Sequence, residues 1–199
     1  MLSQNRLRKR AVSSLKMRHI ALLRGINVGG NTMIKMEELR AMFEALHFDN
    51  VASYINSGNL AFDYVISPHA SEGETLEIAL SNQIEAAIQN TLGRSIPVMV
   101  REQRQIQTIL ESNPFAGQFE SHKEMHVLFL KEEMPADKQQ ELLANQTNDE
   151  RFAILGREIY CHLKLGVANS LLGKGFIEKK LKVQITGRNW RTVERLAVL

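Results

Sequence analysis

A hairpin set between two helical stretches narrows the folds open to this chain more than any other feature. Residues 51–55 are a β-branched and aromatic run. Asn56-Ser57-Gly58-Asn59 follows, and Asn and Gly tolerate the positive φ of a tight turn. Leu60, Phe62 and Tyr64 then alternate with Ala61 and Asp63, the period of a half-buried strand. Before the hairpin, Met36, Leu39, Met42, Phe43 and Leu46 recur at helical spacing over 35–47. After it, Leu76, Leu80, Ile84, Ile88 and Leu92 step by four over 74–92, and Gly93 supplies a stop. Apolar runs at 19–24 and 96–101 flank this unit, and Pro97 suits an edge strand. The order is β-α-β-β-α-β. Two parallel strands joined by a right-handed crossover leave a gap for the third strand, which predicts strand order 4-1-3-2 with both helices on one face.

The same grammar returns further along. A helix over 102–111 leads to a boundary at Asn113-Pro114-Phe115-Ala116-Gly117. A strand over 125–131, a helix over 135–145 and a hairpin of 152–155 with 158–163 around Gly156-Arg157 follow. A helix over 170–181, a short strand over 183–185 and a helix from 189 carrying Trp190, Val193 and Leu196 complete the chain. The expected fold class is α+β: a ferredoxin-like (βαββαβ) subdomain over 18–112, then a second plait-like α+β subdomain over 118–199. The halves share element order and no evident sequence identity.

Of 25 basic and 22 acidic residues, five bases and no acid fall within residues 1–17, so the remainder is slightly acidic. A basic domain that wraps nucleic acid is not implied. The tail, with Arg6, Arg8, Lys9, Arg10 and Lys16, lacks the apolar core of a signal peptide and is expected to be disordered or to lie upstream of a start at Met17. A nucleic-acid or anionic-surface arm is the other reading. No apolar run reaches membrane-spanning length. A single cysteine, Cys161, excludes an internal disulfide and suits a cytoplasmic setting.

Plait geometry places the chemistry. The first and second strands end at one edge of the sheet, and the fourth begins there. Arg24, Asn27, Asn31, Asn56, Ser57, Asn59 and Arg94 are thereby brought toward one rim with the glycine loop Gly25-Ile26-Asn27-Val28-Gly29-Gly30. The set is rich in donors and positive charge and holds no carboxylate or histidine. It suits an anion or nucleotide more than acid–base work. The glycines fit neither G-x-G-x-x-G nor the phosphate loop, and a long loop with Asx turns accounts for them equally. Arg188, Arg191 and Arg195 fall at spacings that share a helix face, where they form a phosphate fork or a solvated surface while Trp190 anchors the helix.

Other constellations fail. His122-Lys123-Glu124-Met125-His126 is not a zinc motif, and no cofactor is expected. Cys161 and His162 alternate to opposite faces of a strand and cannot pair as nucleophile and base. No G-x-S-x-G is present. The RNA-recognition module shares the element order, but 57–64 keeps only its glycine and last aromatic.

The blocks LLRGINVGG, YINSGNLAF, the Asn-Pro-Phe boundary and the terminal TGRNWRTVERL resemble a bacterial family known as domain of unknown function 1697, over about Met17 to Leu199. The resemblance implies a two-part α+β protein with ferredoxin-like subdomains and no established activity. Family members tend to carry Ser-Lys-Leu at the penultimate helix. Here Ser170-Leu171-Leu172 lacks the lysine, and Lys174 lies one turn further. The expected function is binding of a small anionic or nucleotide-like ligand through Arg24, Asn27, Gly29, Gly30, Asn56, Ser57, Arg94, Arg188 and Arg191, with turnover left open. The alternatives are an RNA- or DNA-binding module using the tail and the arginine helix, or a structural protein whose loops brace the two halves.

Overall fold

The computed structural model describes residues 15–28, 33–66 and 75–199. The first half runs β1 (Leu15–Leu23), α1 (Met36–Ala45), β2 (Asp49–Ser53), β3 (Asn59–Ile66), α2 (Leu76–Leu92), β4 (Val98–Glu102) and α3 (Gln103–Glu111). Its sheet has the order β2-β3-β1-β4 with antiparallel neighbours, which is the expected 4-1-3-2 order. The strand opens at Leu15 and not after Met17: Lys16 lies 3.1 Å from Asp49 and 3.7 Å from Asp63. The end of the basic tail therefore belongs to the sheet, and residues 1–14 lie outside the described residues.

The second half runs β5 (Met125–Phe129), α4 (Ala136–Ala144), β6 (Glu150–Leu155), β7 (Glu158–Leu163), β8 (Thr186–Asn189) and α5 (Trp190–Leu196). Its sheet has the order β6-β7-β5-β8, the same arrangement with each strand replaced by its counterpart. Two expectations fail here. The helix over 170–181 is instead a 3-10 turn at Val167–Asn169 and a π-helical turn at Phe176–Lys180. Gly175 at φ +74° breaks the helical path, and a side chain on Gly173 would meet the Val167 carbonyl oxygen at 2.1 Å. The last strand is Thr186–Asn189 rather than 183–185, because Val183 and Ile185 pack into the outer core while the backbone after them pairs with β5.

Three apolar clusters follow from strand alternation. Ala21, Leu23, Leu60, Phe62, Val98 and Val100 face α1 and α2. Ile20, Leu22, Ala61 and Met99 face the other way, into a cluster shared with Met125, Val127, Phe129 and Tyr160 of the second sheet and with α3 and α5. Leu128, Ile159, Cys161 and Leu163 form the third, with α4 and 170–185. The middle cluster joins the halves, and α3 and α5 pack against each other within it. Both helices start directly from an edge strand. Glu102 and Gln105 form a capping box on α3, and Asn189 accepts from the Thr192 N–H (2.9 Å) on α5.

Candidate functional site

The loop after β1, the turn before β3 and the entry to β4 meet at one sheet edge. The Leu23 N–H donates to the Gly58 carbonyl (2.8 Å), and the Arg24 N–H donates to the Pro97 carbonyl (2.9 Å). Asn27, at φ +54°, ties the loop together. Its Nδ2 donates to the carbonyls of Ile34 (2.9 Å) and Asn56 (2.7 Å), and its Oδ1 accepts from the Ile34 N–H (2.8 Å). One side chain thus joins both limbs of the β1–α1 loop to the hairpin turn. Gly29, Gly30 and Asn31 lie outside the described residues.

A cleft of about 610 Å³ opens between this loop, the turn and the start of α1. Asn27, Asn56, Met33, Lys35, Met36 and Glu37 are among its lining residues. Its size falls in the range of small-molecule sites. Lys35 occupies the N-cap of α1 without a capping side chain, so the first amides lack the usual partner. Glu37 fills part of that need: its own backbone amide, with Arg40 adding, holds its carboxyl below the ordinary glutamate value. Beside the cleft, Ile55 sits half-exposed at φ +49°. That conformation is an outlier for a β-branched residue and requires support from its surroundings.

The residues singled out from the sequence divide into two groups. Arg24, Asn27, Asn56, Ser57 and Arg188 gather around the loop and turn. Arg24 is paired with Glu178 of the π-helical turn. Ser57 Oγ accepts from Asn59 Nδ2 (3.0 Å). Arg94 is exposed just ahead of the β4 entry. Arg191 is exposed on α5 and lines a different cavity of about 320 Å³ with Lys123 and His122. The shared arginine helix face does not form, because Arg188 lies on β8, before the helix begins. Arg188 is also buried, and its guanidinium is occupied by the protein: Thr186 Oγ1 (2.8 Å), its neighbour Gly187's carbonyl (2.8 Å) and groups of the first half accept from it. Burial lowers its pKa to about 10.

The cleft lining sets Lys35 against Glu37 and Glu38 and, among the described residues, includes no histidine or cysteine. Cys161 is fully buried, and burial pushes its thiol well above the usual range, so it is a core residue and not a nucleophile. Among the described residues, no group of three His, Cys, Asp or Glu side chains is placed to hold a metal. Sequence reasoning missed two participants, Glu178 as the partner of Arg24 and Ile55 as a strained residue, and, away from the cleft, Arg101 as a second buried arginine. The signal for Arg101 is a charge closing an apolar strand, Val98-Met99-Val100-Arg101.

Comparison with solved structures finds the conserved bacterial protein SP0830 from Streptococcus pneumoniae, with a TM-score of 0.68, 24% identity, and coverage of 92% of this chain and 98% of that one. The likeness shows a shared fold. No curated protein matches the chain. The family model described as "Protein of unknown function (DUF1697)" matches residues 17–160. With the larger part of its length matched, and with the LLRGINVGG and YINSGNLAF blocks inside the match, the chain belongs to the DUF1697 family.

Proposed function

We propose that this protein binds a small anionic, nucleotide-like ligand in the cleft between the β1–α1 loop and the 54–59 turn. The observation that carries the reading is a difference between the two halves. The β1–α1 connection takes the twelve residues 24–35, whereas the β5–α4 connection takes the six residues 130–135. Both join a central strand to the first helix of the same arrangement. The shorter link already suffices for the fold, so the extra length serves something else.

The lining suits that class of ligand. The leading amides of the ten-residue α1 and the Lys35 ammonium attract an anionic group. Met33 and Met36 offer apolar surface, and Glu38 accepts from hydroxyl or amino donors. A cytoplasmic location belongs to the same reading and is supported by the lone, buried, reduced Cys161. Among the described residues, no side chains lining the cleft are arranged as nucleophile and base; the proposal concerns binding and leaves turnover open.

The test is calorimetric titration of the full chain with ADP, AMP and inorganic pyrophosphate, repeated with Lys35→Ala. Lys35 is exposed, so its removal leaves the fold intact. Binding that weakens several-fold in the variant supports the cleft. Binding indifferent to Lys35, or no binding by any probe, defeats the proposal.

A further inference from the structure

Arg101 and Arg188 occupy the same place in their two halves. Each stands one residue before a helix N-cap, Glu102 or Asn189. Each faces the corresponding residue of the central strand, with Ile20 opposite Arg101 and Val127 opposite Arg188. Each also reaches out of its own half. Arg101 donates from Nε to Glu158 (2.7 Å) and from Nη2 to the carbonyls of Leu130 (2.6 Å) and Arg157 (3.4 Å). Arg188 donates from Nε to Asn59 (2.5 Å) and from Nη2 to the carbonyls of Leu23 (3.0 Å), Gly58 (3.3 Å) and Ser57 (3.3 Å).

The acceptors correspond as well. Leu23 directs its N–H to the Gly58 carbonyl (2.8 Å), and Leu130 directs its N–H to the Arg157 carbonyl (2.9 Å). Asn59 stands opposite Leu22 at the start of β3, as Glu158 stands opposite Phe129 at the start of β7. The halves have therefore exchanged arginines, in the reciprocal pattern of a two-fold interface. Arginine suits the task, because its planar fork serves several acceptors at fixed angles.

The exchange differs in what lies behind each acceptor. Behind Glu158 is the tight Gly156-Arg157 turn. Behind Asn59 is the longer turn that walls the cleft. Asn59 is fully buried, and its Nδ2 donates to the Tyr54 carbonyl (3.1 Å) and to Ser57 Oγ (3.0 Å). A continuous chain of contacts runs from Arg188 through Asn59 to both ends of the turn that holds Ile55 and Asn56, and Asn56 in turn accepts from Asn27 (2.7 Å).

We propose that Arg188 is the positioning residue of the cleft: the second half, through this side chain, holds the 54–59 turn and the Asn27–Asn56 contact in place. Arg101 is its built-in control, since it makes the mirrored contacts at the far side of the interface. The ligand arm of the test rests on the cleft reading above; the exchange arm does not.

The experiment is hydrogen–deuterium exchange by mass spectrometry on the full chain, comparing wild type, Arg188→Met, Arg188→Lys and Arg101→Met. In Arg188→Met, amides of 23–28 and 54–59 are expected to exchange at least tenfold faster, with 130–134 and 156–159 unchanged. Arg101→Met should give the reverse pattern. Arg188→Lys retains the charge without the fork and should fall between wild type and Arg188→Met at 54–59. This variant decides the matter if the methionine variant does not fold. Unchanged protection at 54–59, uniform loosening of both regions, or an equal effect from Arg101→Met overturns the proposal. Pyrophosphate affinity, measured alongside, should fall several-fold in the Arg188 variants and stay within twofold in Arg101→Met. If pyrophosphate does not bind the wild type, the cleft reading fails while the exchange pattern still decides the positioning role.

Discussion

Replacing Gly58 with alanine tests how tightly the cleft turn is pressed onto the end of β1. Gly58 has φ +77°, and a Cβ there would lie 2.8 Å from Leu23 Cβ, 2.9 Å from Ile26 Cγ1 and 3.0 Å from Ile26 Cδ1. The left-handed backbone alone costs alanine about 1–2 kcal/mol. The contact adds about 1–3 kcal/mol of overpacking, because Leu23 Cβ is not the free end of a flexible side chain. Leu23 and Ile26 are fully buried, and the Leu23 backbone is fixed by Gly58 and Arg188. The sum is about 2–5 kcal/mol, a large part of the stability of a typical domain. Gly25→Ala isolates the backbone part, since Gly25 has φ +65° and, among the described residues beyond its chain neighbours, no atom lies within 4 Å of its missing Cβ. Urea unfolding of both variants, with midpoints compared at unchanged slope, separates the two contributions. If Gly58→Ala is no more destabilising than Gly25→Ala, the turn is not pressed onto β1.

Four further outcomes are expected. Tyr160→Phe removes the hydroxyl that donates to the Ile109 carbonyl (3.0 Å) inside the shared core, and should lower stability by about 0.5–1.5 kcal/mol in urea titrations. Glu37→Gln removes the carboxylate that competes for the α1 amides, so any anionic probe that binds the cleft should bind it more tightly by calorimetry. Cys161 should resist a thiol reagent in native buffer and react fully in urea, as its burial demands. Burial holds His19, His126 and His162 below the ordinary histidine value of 6.5, with Arg151 adding at His162. The unfolded chain therefore takes up protons below pH 6.5 before the folded one does, and the urea midpoint should fall between pH 7.5 and pH 5.5; an unchanged or rising midpoint contradicts it.

Where local chemistry governs, the fold was readable in the residues. The four-residue steps of Leu80, Ile84 and Ile88 and the stop at Gly93 describe α2 closely, and Gly93 takes φ +65° as its helix C-cap. Alternation around Leu60 and Phe62 gives β3. The strand order of the first sheet followed from element order and crossover handedness. Reading failed where distant partners decide. Leu172, Phe176, Ile177 and Leu181 mimic a helical face, yet Gly173 and Gly175 divert the backbone into short irregular turns. Arg188 and Arg191 look alike in Thr186-Gly187-Arg188-Asn189-Trp190-Arg191, but one is buried and the other exposed. The difference comes from Asn59 and Leu23, more than 120 residues away in the chain. The loop and turn of the cleft were legible from their Asn and Gly content, whereas the pairing of Arg24 with Glu178 was not, because nothing near either residue announces the other.

The two halves also act as internal controls for one another. Each has a central strand, a link to its first helix, a hairpin, and an edge strand whose arginine crosses to the other half. A feature present in both is needed for packing, and the exchanged arginines belong to that class. A feature present in one alone is not. Three such features coincide in the first half: the twelve-residue link where its counterpart has six, the longer hairpin turn with Ile55 held at φ +49°, and the neutral Asn59 where its counterpart is Glu158. The last one alters the electrostatics. Arg101 is compensated by a carboxylate at 2.7 Å, while Arg188 hydrogen-bonds, among the described residues, only to an amide, a hydroxyl and carbonyls. A buried cation without a close counter-ion is costly to a fold that demonstrably accommodates the paired version. Its positive potential is left at the sheet edge where the long loop opens. Elaborated loop, strained turn and the neutral Asn59 that receives Arg188 from the other half thus lie together at one end of the first half, which is why an anionic ligand is sought there and not at the mirrored end.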